Sequence, residues 1–241
     1  MKLYVYCLGE GIERLDEPVL GISGAQVRIL SAEILSVLVS DLDQDSVPVT
    51  RENALAHAAA VRSILDHTTP LPFRFGTVVT EDQLRSYLSA RKPALESKLA
   101  SVRGCVEMNV KIIWNPSGEK ASEPPHAHQA EQGIGTTFLE EKRRQIMGDE
   151  TRADEGAKIS TWVHDNLSSL IREEQVTLRP AERLVLAAAH LIERGAILPY
   201  REVVAEMRRK RSDLHFLFSG PWPPYSFANI ELEFKTQFGV S

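Results

Sequence analysis

The chain has 241 residues, 43% hydrophobic and 25% charged, with 28 basic against 33 acidic side chains and a formal net charge of −5. This is the composition of an ordinary globular protein, long enough to bury a real core in one large domain or two small ones. It leaves no electrostatic footprint for nucleic acid or anionic lipid, and no run approaches the ~18 apolar residues of a membrane span. Cys7 and Cys105 are too few for a disulfide framework, and both sit in strand-like runs that suit buried thiols in a reducing cytoplasm. The opening Met1–Cys7 is too short for the apolar region of a signal peptide, so a soluble cytoplasmic protein is expected.

Residues 3–8 read as a buried strand, and Gly9, Gly11, Pro18, Gly21 and Gly24 then punctuate a turn-rich stretch. Val27–Leu30 and Ile34–Val39 suit a hairpin. Thr50 is placed as an N-cap with Glu52 in the first turn, and the apolar spacing from Ala54 to Leu65 predicts a helix over about 51–67. Pro70 and Pro72 forbid its continuation, and Phe73–Val79 reads as a strand with Phe73 and Phe75 on one side and Arg74 on the other. Thr80 and Gln83 fit a capping box opening a second helix, which Pro93 should kink or split and Gly104 ends. Cys105–Trp114 is a strand with alternating apolar positions.

Asn115–Gly135 is rich in proline and glycine without apolar periodicity, so the predicted organisation is an N-terminal domain over 1–115, a linker over 116–135 and a C-terminal domain over 136–241. Thr137 and Glu140 fit another capping box, opening a charged helical region to about 172. Residues 183–192 read equally as an alanine-rich helix or a strand of period two. Pro199 suits the first position of a helix ending near Arg211, and Asp213–Ser219 is a strand. Both halves mix strands with helices, an α+β pattern in two domains.

Candidate chemistry is sparse. Asp41, Asp43 and Asp45 alternate acids but lack the glycine and distal glutamate of a calcium loop, which favours a solvated turn. His126 and His128 lack a third metal ligand nearby in sequence. Cys105 has no activating base beside it and reads as core. The glycines near 9–11 and 21–24 match no dinucleotide or phosphate loop. The basic run Arg208–Arg211 suits a helix C-terminus better than nucleic acid. No catalytic arrangement, metal site or cofactor site emerges.

Two stretches stand out. Leu71–Val78 places Arg74 between Phe73 and Phe75, followed by Gly76 and Thr77. Gly220–Phe227 packs Gly220, Pro221, Trp222, Pro223, Pro224, Tyr225 and Phe227 into a segment predicted to be stiff, non-helical and excluded from a central strand. It serves either as a structural plug or as a partner contact. Together with the Tyr4–Tyr6 strand, and with Glu107 in the strand after the second helix, these stretches resemble the gas vesicle protein F/L family, accessory proteins of the gas-filled shells that give prokaryotes buoyancy. Residues 228–241 extend past the last motif.

The resemblance implies two α+β domains, the C-terminal one ferredoxin-like with a long helical insertion, and strand for 183–192. It also implies no catalysis and a minor structural component acting in vesicle assembly or nucleation. Its expected partners are the major shell protein and other accessory gas vesicle proteins, with the two motifs as contact residues. The alternative is a small-molecule-binding protein or enzyme on a ferredoxin-like domain, which needs a pocket of convergent polar groups, for instance around Arg74.

Overall fold

The apolar run Leu3–Leu8 is buried throughout, so both faces of the strand it forms are covered. In the computed structural model, which describes residues 2–114, 153–179, 184–228 and 230, this is β1 (Lys2–Glu10). Contacts group the chain into two units. Among the described residues the first holds everything up to Glu107, Leu191–Arg194 and the stretch from Gly220 onward; the second holds Met108–His190 and Gly195–Ser219. The units are therefore discontinuous along the chain, because the stretch from Gly220 onward returns to the first unit. The segment 116–135, where the sequence suggests a single break, lies outside the described residues.

In the first unit, β2 (Arg28–Ala32), β3 (Leu35–Leu42), β1 and β4 (Leu71–Pro72) lie in the order β2-β3-β1-β4, and β5 (Val78–Thr80) also pairs with β1. All these pairings are antiparallel. The hairpin predicted between residues 27 and 39 is present, turning at Glu33, whose φ is 58°. A register shift between Val5 and Cys7 leaves Tyr6 opposite no partner on β3. Its hydroxyl is held by Ser40 Oγ at 2.8 Å and accepts the Ile22 N–H at 2.8 Å.

Helix α1 (Arg51–Arg62) opens as predicted, with Thr50 Oγ1 accepting the Asn53 N–H, and buries His57, Ala60 and Val61 with Tyr4 and Tyr6. It stops at Arg62, short of the expected 67, where the chain enters a run of turns. Helix α2 (Glu81–Val102) carries the full Thr80–Gln83 capping box. Pro93 does not split it. Pro93 lies on the exposed face, where water can satisfy the carbonyl one turn earlier.

The second unit holds most of β6 (Cys105–Trp114), β8 (Leu184–Glu193) and β9 (Leu214–Trp222), and all of a helix over 153–167 (α3), β7 (Ile171–Arg179) and α4 (Ile197–Lys210). Its sheet order is β7-β8-β6-β9. Ile159, Val163 and Leu167 of α3 and Tyr200, Val204 and Met207 of α4 are buried. Trp162 meets Phe216 at 6.4 Å between ring centroids, and Tyr200 stacks on Phe218 at 5.9 Å.

Two expectations change here, and one open reading closes. The helix predicted to reach 172 ends at 167, and Ile171 starts β7; its earlier part, before 153, lies outside the described residues. The run at 183–192, which periodicity left open between helix and strand, is the strand β8, as the family resemblance implied; it is paired on both sides, and sheet packing overrides alanine's helix preference. Pro199 is the third rather than the first residue of α4, still within the turn whose N–H groups have no intrahelical acceptor.

A candidate docking site where two motifs converge

Both singled-out stretches contribute to the first unit. The strand expected over Phe73–Val79 is broken. β4 pairs Leu71 with Leu8 and Pro72 with Cys7, while β5 pairs Val78 with Tyr4 and Val79 with Leu3. Phe73 N–H donates to Tyr6 O at 2.9 Å, and Val5 N–H donates to Thr77 O at 3.0 Å. Between these bonds Arg74–Thr77 forms a turn, closed onto Arg74 O by the Thr77 N–H at 3.2 Å and the Thr77 hydroxyl at 2.6 Å. Gly76 has φ 85°, as the third position of a type II turn requires.

The Gly76 N–H donates to the Tyr4 hydroxyl at 3.0 Å, which also pairs with His57 Nδ1 at 3.0 Å. Burial pushes the Tyr4 phenol up to about 12 and holds His57 down to about 4, so both are neutral at pH 7. The phenol oxygen accepts the Gly76 N–H, and the imidazole tautomer sets which of Tyr4 and Nδ1 donates in their shared bond.

The turn also ends the period-two facing expected for the aromatics. Phe73 meets Tyr87 of α2 at 6.5 Å, whereas Phe75 packs on Tyr4 at 6.2 Å and His57 at 5.8 Å. Arg74 is exposed, and its guanidinium makes no ion pair among the described residues.

Gly220–Trp222 completes β9 at the edge of its sheet, the place prolines tolerate, with a cis Gly220–Pro221 peptide. Pro223 and Pro224 are buried. The chain then turns into a short helix, α5 (Tyr225–Ala228), against the non-helical expectation. Two causes account for it. The prolines preset φ for a helical start, and the buried Glu107 carboxylate of β6 accepts the Ser226 N–H at 2.7 Å and the Ser226 hydroxyl at 3.0 Å. The three aromatics part company. Phe227 is core at 1% exposure, Trp222 is 38% exposed with the Arg62 guanidinium 5.7 Å from its ring centre, and Tyr225 is 41% exposed.

Tyr225 lines a cavity of about 300 Å³ together with Pro72, Phe73, Arg74 and Phe75, closed by His57 of α1 and Ile230. Phe73 and Ile230 are joined by an isolated parallel bridge. Of the sequence-selected residues, four therefore meet at one cavity. Gly76 and Thr77 shape its turn, Gly220, Pro221, Pro223 and Pro224 lead the chain to Tyr225, and Trp222 and Phe227 do not line it. His57 and Ile230 escaped sequence reasoning; the one available signal was a lone histidine on the apolar stripe of α1.

The other candidates sit in ordinary surroundings. Asp41 pairs with Arg28 at 3.1 Å and Asp45 with Lys2 at 2.5 Å. Cys7 and Cys105 are buried and form no disulfide, and burial raises the Cys7 thiol. Arg209 pairs with Glu206, Lys210 reaches the same carboxylate at 3.8 Å, and Arg211 binds Asp213 at 2.7 Å. His126 and His128 lie outside the described residues. Among the described residues no group of three ligating side chains is placed to hold a metal ion, and no helix is long and apolar enough to cross a membrane.

A family model described as gas vesicle synthesis protein GvpL/GvpF matches residues 2–229. The chain belongs to the GvpL/GvpF family. Among relatives, gas vesicle protein L2 of Halobacterium salinarum is 29% identical over 93% of this chain and 90% of its own length. Gas vesicle protein F1 of the same organism is 27% identical over 99% and 98%, and gas vesicle protein L of a Streptomyces species 29% over 95% and 94%. The crystal structure of GvpF from Anabaena sp. PCC7120 has the same fold, with a TM-score of 0.76 at 20% identity, covering 95% of this chain and 97% of that one. GvpF from Microcystis aeruginosa gives 0.74 at 17% identity, over 95% and 99%. Both motifs lie inside the span that the GvpL/GvpF model matches.

Proposed function

We propose that this chain is a non-enzymatic accessory protein of the gas vesicle. It works in the cytoplasm and at the vesicle, and acts in assembly or nucleation by binding the major shell protein and other accessory gas vesicle proteins. The family match over residues 2–229 carries this reading. The cavity supports a contact role for Phe73, Arg74, Phe75 and Tyr225, since buried aromatic anchors and arginines dominate protein interfaces. A second route of contact is strand addition at a sheet edge.

The second unit we read as ferredoxin-like. Its element order β6-α3-β7-β8-α4-β9 and strand order β7-β8-β6-β9 support a β-α-β-β-α-β motif. The enzyme alternative is not favoured. The cavity around Arg74 lies in the other unit, and among the described residues its lining offers no nucleophile beside a base.

Pulling down purified shell protein with this chain tests the proposal. Binding is expected, together with defective vesicles in a deletion strain; no binding combined with normal vesicles after deletion overturns it.

A further inference from the structure

Resting on that docking role, we propose that the cavity seats one bulky apolar side chain of a partner peptide, with an adjacent carboxylate of the same peptide held by Arg74. At about 300 Å³ the cavity is at the small end of ligand sites, sized for a single anchoring side chain. Pro72, Phe73, Phe75, Tyr225 and Ile230 make its wall apolar, and His57 is neutral at pH 7. Among the described residues no acid lines the cavity, and Arg74 supplies the formal charge of that lining.

Among the described residues that arginine has no ion-pair partner, whereas Arg28, Arg85, Arg103, Arg209 and Arg211 each grip a carboxylate of this chain. A planar guanidinium presented beside an aromatic wall matches a carboxylate through two parallel hydrogen bonds. The turn explains the placement. Gly76 and Thr77 fold Arg74 out of the β1 edge, so its side chain is free of the sheet while its neighbours Phe73 and Phe75 stay packed.

The test uses the isotope-labelled full chain, titrated with the blocked tetrapeptide Ser-Phe-Glu-Ser, its Ser-Phe-Gln-Ser twin and Ser-Gly-Glu-Ser. Amide shifts are followed at Phe75, Gly76 and Tyr225. The Phe-Glu peptide is expected to bind about tenfold more tightly than the Phe-Gln twin, and Ser-Gly-Glu-Ser more weakly than Ser-Phe-Glu-Ser. Arg74→Gln removes the preference for Glu without changing the unfolding midpoint, and Tyr225→Ala weakens both phenylalanine peptides.

Equal affinity for the Glu and Gln peptides, shifts confined to other regions, or a Glu preference that survives Arg74→Gln overturns the proposal. Binding seen only in a chain ending at Ile230 also overturns it, because the occupant is then the chain's own 231–241. Peptide binding that fails while shell protein is still pulled down rejects the cavity's chemistry alone. Lost pull-down with peptide binding intact rejects the assembly role instead.

Discussion

Two buried histidines tie the stability of this protein to pH. His57 sits among Tyr4, Tyr6 and Phe75, and burial holds its pKa down to about 4. Burial does the same to His190, whose Nδ1 lies 2.5 Å from the Tyr200 hydroxyl and whose Nε2 has no hydrogen-bond partner among the described residues, 3.9 Å from Glu174 Oε1. Glu174 pulls the other way but does not prevail, and its second oxygen lies 2.5 Å from His164 Nδ1. Both folded values fall below the unfolded value of about 6.5. Between about pH 4 and 6.5 the unfolded chain therefore binds more protons, so stability is complete above this window and declines as pH falls through it. Urea midpoints at pH 7.5, 5.5 and 4.5 should drop in that order, as the unfolding free energy falls by on the order of a few kcal/mol per histidine at most. His57→Phe, which cannot take up the proton, should show a shallower decline. The aromatics of the last motif divide just as sharply: Phe227→Ala should cost about 3–5 kcal/mol in a denaturant titration, while the half-exposed Tyr225→Ala should leave the midpoint nearly unchanged.

At the scale of elements, local signals succeeded where a side chain closes onto its own neighbourhood. The Thr50 cap and the Thr80–Gln83 box were legible because both partners lie within three residues. The break between β4 and β5 was not legible, since Phe73–Val79 has strand composition throughout and only Gly76 hints at a turn. Gly76→Ala meets open space but must hold φ 85°, so it should destabilise by about 1–2 kcal/mol, and Gly76→Asn by less, as read from thermal unfolding. The helical turn at Tyr225 likewise depends on a distant carboxylate. Glu107→Ala should speed hydrogen exchange at Ser226 and Phe227, where Glu107→Asp retains part of the protection. β7 escaped notice because Arg172, Glu173 and Gln175 are exposed and mask any apolar alternation.

Across the whole molecule, the first unit is completed by the end of the chain. Ser226 binds Glu107 and Ile230 bridges Phe73, so the contiguous fragment 1–115 lacks the cap on Glu107 and the Phe227 core contact. That fragment should give poorly dispersed amide spectra, and adding a peptide spanning 220–230 should sharpen them. Well-dispersed spectra from the fragment alone would show that the first unit folds without the last motif. The family was legible from two short stretches because each carries residues with stringent local demands: a positive-φ glycine after Arg74, and prolines at a sheet edge.

By itself, the sequence determined the elements whose hydrophobic period and caps are local, the α+β class, and membership of the gas vesicle family through its two motifs. Only the tertiary structure decided that Arg74 leaves the sheet in a turn, that the chain turns helical at Tyr225, and that Tyr225 comes to rest beside Phe73 and Phe75. The reason is physical. Periodicity and capping act within a few residues, whereas the cavity exists only once chain segments far apart in sequence have been brought together by burial around β1 and by the Glu107–Ser226 bonds.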